Sequence, residues 1–416
     1  MKMKERSAIE ALRAGVPNRA AIRLLGTNES DIRDQFLTRL QRCRAASPSQ
    51  QPSQGLVVAG GFGSGKSHLL GYLQELALQE RFVVSLVPIS KETPLFDPGK
   101  LYVDAIRNAV VPNQNDDVMT AVVSQAAGRR DAWDHLEHWA SGAGSGLAPL
   151  FAALLYLLPR QGTAPENVAT IARFFGGAKI GVAQVKRWLR DAGAAKLFDV
   201  KPIKEADLAL QRLRFAPRLF AAAGYSGWCV LLDEVELIGR YSPIQRGRSY
   251  AELSRWLGLD EDAAMPGIIA ICAISDDFTD IVINNRRDDE LIPQRLQAKG
   301  LDRVARLALL GMQALHNDNQ HFLRQPDEAL LRRSRDQVAR LYGDAYGWTP
   351  PPIDLGERLA GKTMRQYIKS WVTAWDIERL FGERQEITTE GLPINYSETP
   401  DIEQAPVDDG ETEPAS

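Results

Sequence analysis

The chain has 416 residues, of which 44% are hydrophobic and 25% are charged. This composition is typical of a globular protein large enough for an α/β domain with a smaller helical part. No stretch approaches the run of about 18 apolar residues that a membrane span needs, and the first six residues lead into an amphipathic helix rather than a signal peptide. The composition therefore argues against membrane and secreted proteins and predicts a cytoplasmic location. The three cysteines, Cys43, Cys229 and Cys272, suggest neither a disulfide framework nor a metal knuckle.

The net charge of −3 is unevenly distributed along the chain. Residues 386–416 contain nine acidic residues and no Lys or Arg, so residues 1–385 carry a net charge of +6. The tail is also rich in Pro and Thr, which predicts a disordered acidic segment. A mildly basic body is compatible with nucleic-acid binding but does not establish it.

Residues 1–50 are predicted to form a helical segment followed by a polar linker. Two or three short helices lie between Ala8 and Arg44. They are interrupted at residues 15–18 and 26–28, where glycine, asparagine and a proline favour turns. The linker, residues 45–53, leads into a predicted core that spans residues 51–300.

A phosphate-binding motif follows the first predicted strand. The sequence Gly60-Gly61-Phe62-Gly63-Ser64-Gly65-Lys66-Ser67 fits the pattern G-x-x-x-x-G-K-[ST], and His68 begins the helical run after it. An apolar run precedes the motif, so the required order of strand, loop and helix is present. In such a loop the backbone N–H groups surround the β-phosphate, the lysine reaches the β- and γ-phosphates, and the serine hydroxyl binds Mg²⁺. We therefore expect residues 60–68 to bind ATP.

The next segments predict a second strand and a helical insertion. Residues 81–89 form an apolar, β-branched run, and residues 90–95 follow it at the edge where parallel sheets meet ligands. Residues 112–207 lack strand patterns and are rich in Ala, Leu and Trp. We expect this part to be helical.

Two carboxylates follow a third apolar strand. Residues 228–232 are apolar and are followed directly by Asp233 and Glu234. In P-loop proteins the first carboxylate holds Mg²⁺ through water and the second polarises the attacking water. Kinases and GTPases of this fold generally lack the second carboxylate. The pair therefore favours an ATPase over a small-molecule kinase.

A fourth strand, residues 267–274, ends in a polar group that is placed to sense the γ-phosphate. We assign this role to Ser275, because a carboxylate at Asp276 would repel the phosphate. Further along, Arg286, Arg287 and Arg295 are candidates for an arginine that acts on the nucleotide of a neighbouring subunit.

Arginines and tyrosines alternate after the carboxylates: Arg240, Tyr241, Arg246, Arg248 and Tyr250. This composition suits contact with a nucleic-acid backbone or with a neighbouring subunit's nucleotide. A solvated surface stabilised by salt bridges explains this composition equally well.

Residues 301–385 are predicted to form a small helical lid, with helices from Asp302 to Phe381. The last helix opens with Arg365, which a lid would place over the phosphates as a second sensor. An ordinary arginine on a helix surface is the alternative.

The sequence around these motifs resembles that of the BREX-system ATP-binding proteins, specifically the D-type component, over roughly residues 6–380. The segments that carry the resemblance are residues 8–19, 60–67, 90–95 and 232–242, and residues 236–250 are the most specific. The resemblance implies a role in bacterial defence against phage, with other defence components, an Lhr-like helicase and DNA as partners. It does not extend to the acidic tail.

These patterns together predict a three-layer α/β P-loop NTPase of the additional-strand class, close to AAA+ and STAND ATPases, with a helical insertion and a small C-terminal helical lid. The predicted catalytic residues are Lys66, Glu234, Ser275 and Arg365, and Ser67 and Asp233 are the predicted Mg²⁺ ligands. Two functions fit. One is an ATPase that converts ATP and water to ADP and phosphate near DNA and that can act as a homo-oligomer. The other is a nucleotide-gated assembly switch with negligible turnover.

Overall fold

The computed structural model describes residues 2–15, 19–46, 54–112, 117–158, 165–261, 265–324, 326–353 and 363–382. The acidic tail lies outside the described residues. The strands are β1 (Gln54–Ala59), β2 (Val83–Pro88), β3 (Ala109–Val110), β4 (Trp228–Asp233), β5 (Ile268–Ile274) and β6 (His321–Phe322). The α-helices, in chain order, are α1 (Lys2–Ala14), α2 (Arg19–Leu25), α3 (Ser30–Ala45), α4 (Lys66–Gln79), α5 (Pro98–Arg107), α6 (Val118–Ala127), α7 (Arg130–Ser141), α8 (Pro149–Leu157), α9 (Pro165–Phe175), α10 (Val182–Asp191), α11 (Glu205–Ala222), α12 (Pro243–Leu257), α13 (Asp288–Gln297), α14 (Asp302–Ala314), α15 (Glu328–Tyr346) and α16 (Met364–Phe381).

The strands form one sheet in the order β3-β2-β4-β5-β1-β6. All neighbours are parallel except β3, which pairs antiparallel with β2. β5 therefore lies between β1 and β4. Because the three strands are parallel and in register, their carboxyl ends meet at one edge, and the loops that follow them converge there.

Helices cover both faces of the sheet, and the strands are apolar on both sides for that reason. Alternate residues of β4 enter different cores: Trp228, Val230 and Leu232 pack into the larger core, whereas Cys229 and Leu231 pack into the core beneath α3 and α4. The three cysteines are buried and free. The protein is thus a mixed α/β fold whose sheet is enclosed between helical layers.

Helices α6 to α11 are contiguous with the larger core. They occupy most of the predicted insertion, and α11 continues to Ala222, past the predicted end at residue 207.

The C-terminal part differs from the prediction in two respects. α14 packs against α12 of the core, and β6 pairs with β1 through Val58 with His321 and Ala59 with Phe322. The sheet therefore extends beyond residue 300, and residues 302–381 are not entirely helical. The division of the chain into domains remains a prediction.

A third apolar cluster joins the two ends of the described chain. α1 contributes Ala8, Ile9 and Leu12, which pack with residues of α15 and α16. The Arg13 guanidinium strengthens this contact with two bonds to Asp376, at 2.8 and 2.9 Å. The N-terminal helix and the last helix are thereby held together beside the sheet edge.

Candidate functional site

The predicted phosphate loop connects β1 to the first turn of α4. α4 begins at Lys66, and its N-cap is Gly65 with φ +113°, a backbone conformation that residues with a Cβ rarely adopt. The loop therefore needs glycine here to turn into the helix. The N-terminus of α4 leaves backbone N–H groups unpaired and carries a partial positive charge, which is a general basis for binding phosphate.

Lys66 is buried with its ammonium group inside the loop. Its Nζ donates to the carbonyl of Gly60 at 2.6 Å and to that of Gly61 at 3.3 Å. The same Nζ lies 3.9 Å from Oε1 of Glu236. The loop carbonyls and one carboxylate thus hold the cation at the point where the loop folds back.

Asp233 ends β4, and Glu234 follows in the left-handed region at φ +58°. The N–H of Glu234 donates to Oδ1 of Asp233 at 3.0 Å, which stabilises this uncommon conformation. The conformation turns the Glu234 side chain away from the direction of the strand and leaves it exposed. Desolvation by the surrounding protein and the neighbouring Asp233 charge raise the pKa of Glu234.

Glu236 is a site residue that the sequence reasoning missed. Its side chain is buried, and its Oε2 has no hydrogen-bond partner among the described residues. Burial raises the pKa of Glu236, and the nearby Lys66 charge opposes the shift. The sequence shows a third acidic residue two positions after Glu234. From the sequence alone, this residue is indistinguishable from an ordinary charged residue on the exposed face of a helix.

A cavity of about 550 Å³ lies over the phosphate loop, within the usual size range of ligand pockets. It is bounded by the N-terminal helices, the loop, the segment after β4, the segment after β6, α15 and α16. The predicted site residues that line it are Phe62, Gly63, Ser64, Gly65, Lys66, Ser67, His68, Asp233, Glu234 and Arg365. Gly60 and Gly61 meet the site through the carbonyls that hold Lys66.

The start of α16 lies against the loop. The Arg365 guanidinium is 5.3 Å from the centre of the Phe62 ring, and a Cβ placed on Gly63 would come within 3.0 Å of Thr363 Oγ1. Thr363 caps α16 by accepting from the N–H of Gln366. A glycine at position 63, with φ +78°, lets the capped helix approach this closely.

The N-terminal helices meet the site from another side. Nε2 of His68 lies 2.8 Å from the carbonyl oxygen of Gly26, in the turn between α2 and α3. Burial lowers the pKa of His68. A neutral imidazole can donate this hydrogen bond and would link the first turn of α4 to the N-terminal segment.

Ser275 is the predicted catalytic residue that the structure does not place at the cavity. It is buried, and its hydroxyl donates to Oδ1 of Asp277. Asp276 instead faces the phosphate loop: its Oδ2 would lie 3.6 Å from a Cβ placed on Gly61. Neither Ser275 nor Asp276 lines the cavity, and the role of Ser275 as a γ-phosphate sensor stays a prediction.

The cluster of arginines and tyrosines is also different from what we expected. Arg246, only 3% exposed, makes two 2.8 Å bonds to Asp288. Tyr250 is buried and donates to the same carboxylate, and Tyr241 is buried as well. Arg240 lines the cavity. Arg246, Tyr250 and Asp288 therefore form a buried network between α12 and α13 rather than a surface, whereas Arg240 and Arg248 are partly exposed.

The donor set at the cavity fits a hard divalent cation. The Ser67 hydroxyl and the Asp233 carboxylate both line it, and Mg²⁺ prefers oxygen ligands of this kind. The part of the chain that the structure describes contains no cluster of three or more His, Cys, Asp or Glu that could hold a metal. A bound Mg²⁺ would therefore depend on oxygens of a nucleotide, as it does in phosphate-transfer sites.

Comparison with known families gives one match. Residues 1–126 match the family described as BREX system ATP-binding protein BrxC/D, so the resemblance seen in the sequence is confirmed over that part of the chain. Neither a curated protein nor a solved structure matches significantly. Among the described helices, none combines the length and apolar character needed to cross a membrane.

Proposed function

We propose that this protein binds ATP with Mg²⁺ and hydrolyses it to ADP and phosphate as a P-loop NTPase of the additional-strand class. The observation that carries the proposal is the position of β5 between β1 and β4. This order brings the phosphate loop and the Asp233-Glu234 pair to one edge of the sheet, around one cavity. An AAA+ or STAND-like lid formed by α16 completes the proposed fold class.

Each residue has a defined role in this proposal. The N–H groups of residues 61–67 surround the phosphates, and Lys66 leaves the Gly60 carbonyl to neutralise their charge. Ser67 and Asp233 are the candidate ligands of Mg²⁺, which would neutralise developing charge on the phosphates. Glu234 polarises the attacking water as a general base.

Arg365 supports the phosphates from the lid. Its guanidinium lies over Phe62 at the edge of the loop, so a small movement of α16 would bring it to a bound triphosphate. At the end of β5, Ser275 is the proposed γ-phosphate sensor, and Asp276, which faces the same loop, is a second candidate.

We place this activity in a BREX phage-defence system, on the strength of the match over residues 1–126. The D-type assignment, the Lhr-like helicase, DNA-directed partners, a homo-oligomer and a cytoplasmic location are parts of the same proposal. The D-type assignment, the helicase and the DNA-directed partners come from the resemblance. The homo-oligomer comes from the proposed ATPase class, and the location comes from composition.

The substitution Glu234→Gln tests the catalytic assignment. The amide keeps the shape of the side chain but cannot accept a proton, so we expect ATP affinity to persist while turnover falls about 10²- to 10⁴-fold. Phosphate release and binding of a fluorescent ATP analogue measure the two effects. Glu166→Gln, at an exposed position on α9, is the matched control. Wild-type turnover in Glu234→Gln would show that another group acts as the base.

A nucleotide-gated assembly switch is the second candidate function. The cavity is enclosed by elements from both ends of the chain, so a bound nucleotide would join the N-terminal helices, the core and α16. Negligible turnover combined with nucleotide-dependent complex formation favours the switch. Strong stimulation of turnover by DNA or a partner favours the ATPase.

A further inference from the structure

The net positive charge of the body is concentrated in one short segment of the helical insertion. Residues 173–204 contain eight Lys and Arg but two Asp, a net charge of +6. Residues 1–385 as a whole also carry +6, so the rest of the body is neutral. Extending the window to residues 165–222 leaves the net charge at +6. The excess is therefore a property of this region and does not depend on where the window is drawn.

All ten of these charged side chains are exposed; they are Arg173, Lys179, Lys186, Arg187, Arg190, Asp191, Lys196, Asp199, Lys201 and Lys204. α10 presents three of them on one side, Lys186, Arg187 and Arg190. Its opposite side, Val185, Trp188 and Leu189, is buried in the larger core. The basic face is therefore held on a helix that is anchored by its own apolar residues.

Ion pairs neutralise little of this charge. Lys201 pairs with Asp199 at 2.7 Å, and Lys179 pairs with Glu205 at 2.5 Å. Lys186, Arg187 and Arg190 make no ion pair within the part of the chain that the structure describes. Most of the basic side chains of this segment are therefore not neutralised by an ion pair within the described residues.

We propose that this patch, defined by the exposed basic residues of 173–204, binds the phosphate backbone of nucleic acid. This inference deepens the DNA-directed part of the proposed function. It also supplies a nucleic-acid surface other than the segment after β4, where Arg246 is buried in an ion pair with Asp288. Lysine makes up five of the eight basic residues. Lysine is depleted in protein–protein interfaces, whereas Lys and Arg side chains are among the groups that contact the phosphate backbone.

The patch is separate from the nucleotide cavity. None of residues 173–204 lines that cavity, and the patch lies on the insertion whereas the phosphate loop follows β1. Nucleic-acid binding and ATP binding are therefore separable by substitution.

A triple substitution, Lys186→Gln, Arg187→Gln and Arg190→Gln, tests the patch in the full-length protein. Glutamine retains helix propensity and polarity, so α10 keeps its buried anchor. Binding to a short fluorescein-labelled DNA duplex is measured by anisotropy at several salt concentrations. Each lost phosphate contact lowers the slope of log affinity against log salt by about 0.9, so we expect a slope reduced by up to about 2.7.

The matched control is Lys299→Gln, Arg303→Gln and Arg340→Gln, three exposed basic residues outside the insertion. Both variants change the net charge equally, so a difference between them reports position rather than total charge. We expect the control to keep the wild-type affinity and slope, and both variants to bind a fluorescent ATP analogue as the wild type does.

Three results would overturn the proposal. One is a wild-type protein that does not bind the duplex at low salt, and another is an equal loss in both triple variants. The third is displacement of the duplex by polyglutamate at the same charge concentration, which would indicate an acidic protein partner instead. If the wild type binds duplex but not ATP, the patch stands and the proposed ATPase fails.

Discussion

Glu234 shows how much of the site a single sequence can predict at the scale of one residue. The order of an apolar strand, then Asp233, then Glu234 is local, so it can be recognised in the sequence. The left-handed backbone of Glu234 depends on its hydrogen bond to Asp233 and on the turn that follows. No sequence pattern reports that conformation for a residue that is neither Gly nor Asn.

The end of β5 shows the same limit. Ser275 and Asp276 are adjacent and point in different directions, so only the exact end of the strand decides which one meets the loop. Electrostatic repulsion led us to favour Ser275, but the geometry places Asp276 beside Gly61.

The pH dependence of turnover is a prediction at this scale. Desolvation and Asp233 raise the pKa of Glu234 above the ordinary value of 4.5. A general base must be ionised, and a raised pKa keeps the Glu234 carboxyl protonated up to a higher pH. Turnover should therefore fall on acidification with a midpoint above 4.5. Initial rates at saturating ATP across the acidic range measure it. A midpoint at or below 4.5 would contradict the assignment of Glu234.

At the scale of elements, local patterns located the long strands. β1, β2, β4 and β5 were all predicted, because each has an apolar run bounded by turns. β3 and β6, with two residues each, were not predicted. A strand this short has no periodicity of its own, and its neighbours in the sheet define it.

The burial of Arg246 on α12 differs from the prediction. Charged residues are rarely buried unless they are paired, so Arg246 was expected to be exposed. Its partner, Asp288, is 42 residues away in the sequence, and such a pairing leaves no local trace. The pair joins α12, in the segment after Asp233 and Glu234, to α13, in the segment after β5.

Breaking this buried pair should destabilise the protein. Arg246→Ala leaves the Asp288 carboxylate buried without its partner, which costs about 3–5 kcal/mol. Urea denaturation followed by circular dichroism measures the loss. The exposed residue Arg303, substituted in the same way, should change stability by less than about 0.5 kcal/mol. Equal stability of the two variants would show that the network does not support the fold.

At the scale of the whole molecule, the cavity depends on contacts that no sequence pattern predicts. Arg13 and Asp376 are 363 residues apart, yet they hold α1 against α16. This packing brings Gly15 within 3.1 Å of the Arg365 side chain, as judged from a Cβ placed on the glycine. A nucleotide in the cavity would therefore contact both ends of the described chain, and its binding would stabilise their association.

The proposed ATPase, acting as an oligomer, would need an arginine from a neighbouring subunit. Arg286, Arg287 and Arg295 do not line the cavity of their own chain. Arg286 donates to the carbonyl of Gly239 at 2.8 Å, which gives it a structural role. Arg287 and Arg295 are exposed and are the better candidates for contact with a second copy.

Mixing two inactive variants tests for such a shared site. Lys66→Ala should lose tight ATP binding. Arg287→Ala or Arg295→Ala, whichever removes the arginine that reaches the neighbouring subunit's nucleotide (the finger arginine), should reduce turnover about 10³-fold while ATP binding persists. A mixture of the Lys66 variant with the finger variant creates interfaces in which an intact loop faces an intact arginine. With random exchange of subunits, about a quarter of the interfaces regain activity. As a control, the Arg303→Ala protein is mixed with the Lys66→Ala protein, and the turnover of this mixture shows the effect of diluting a fully active subunit with an inactive one. A protein that remains monomeric by light scattering while it hydrolyses ATP at full rate would exclude the shared site. If neither the Arg287 variant nor the Arg295 variant regains turnover when mixed with the Lys66 variant, the finger arginine lies elsewhere in the chain.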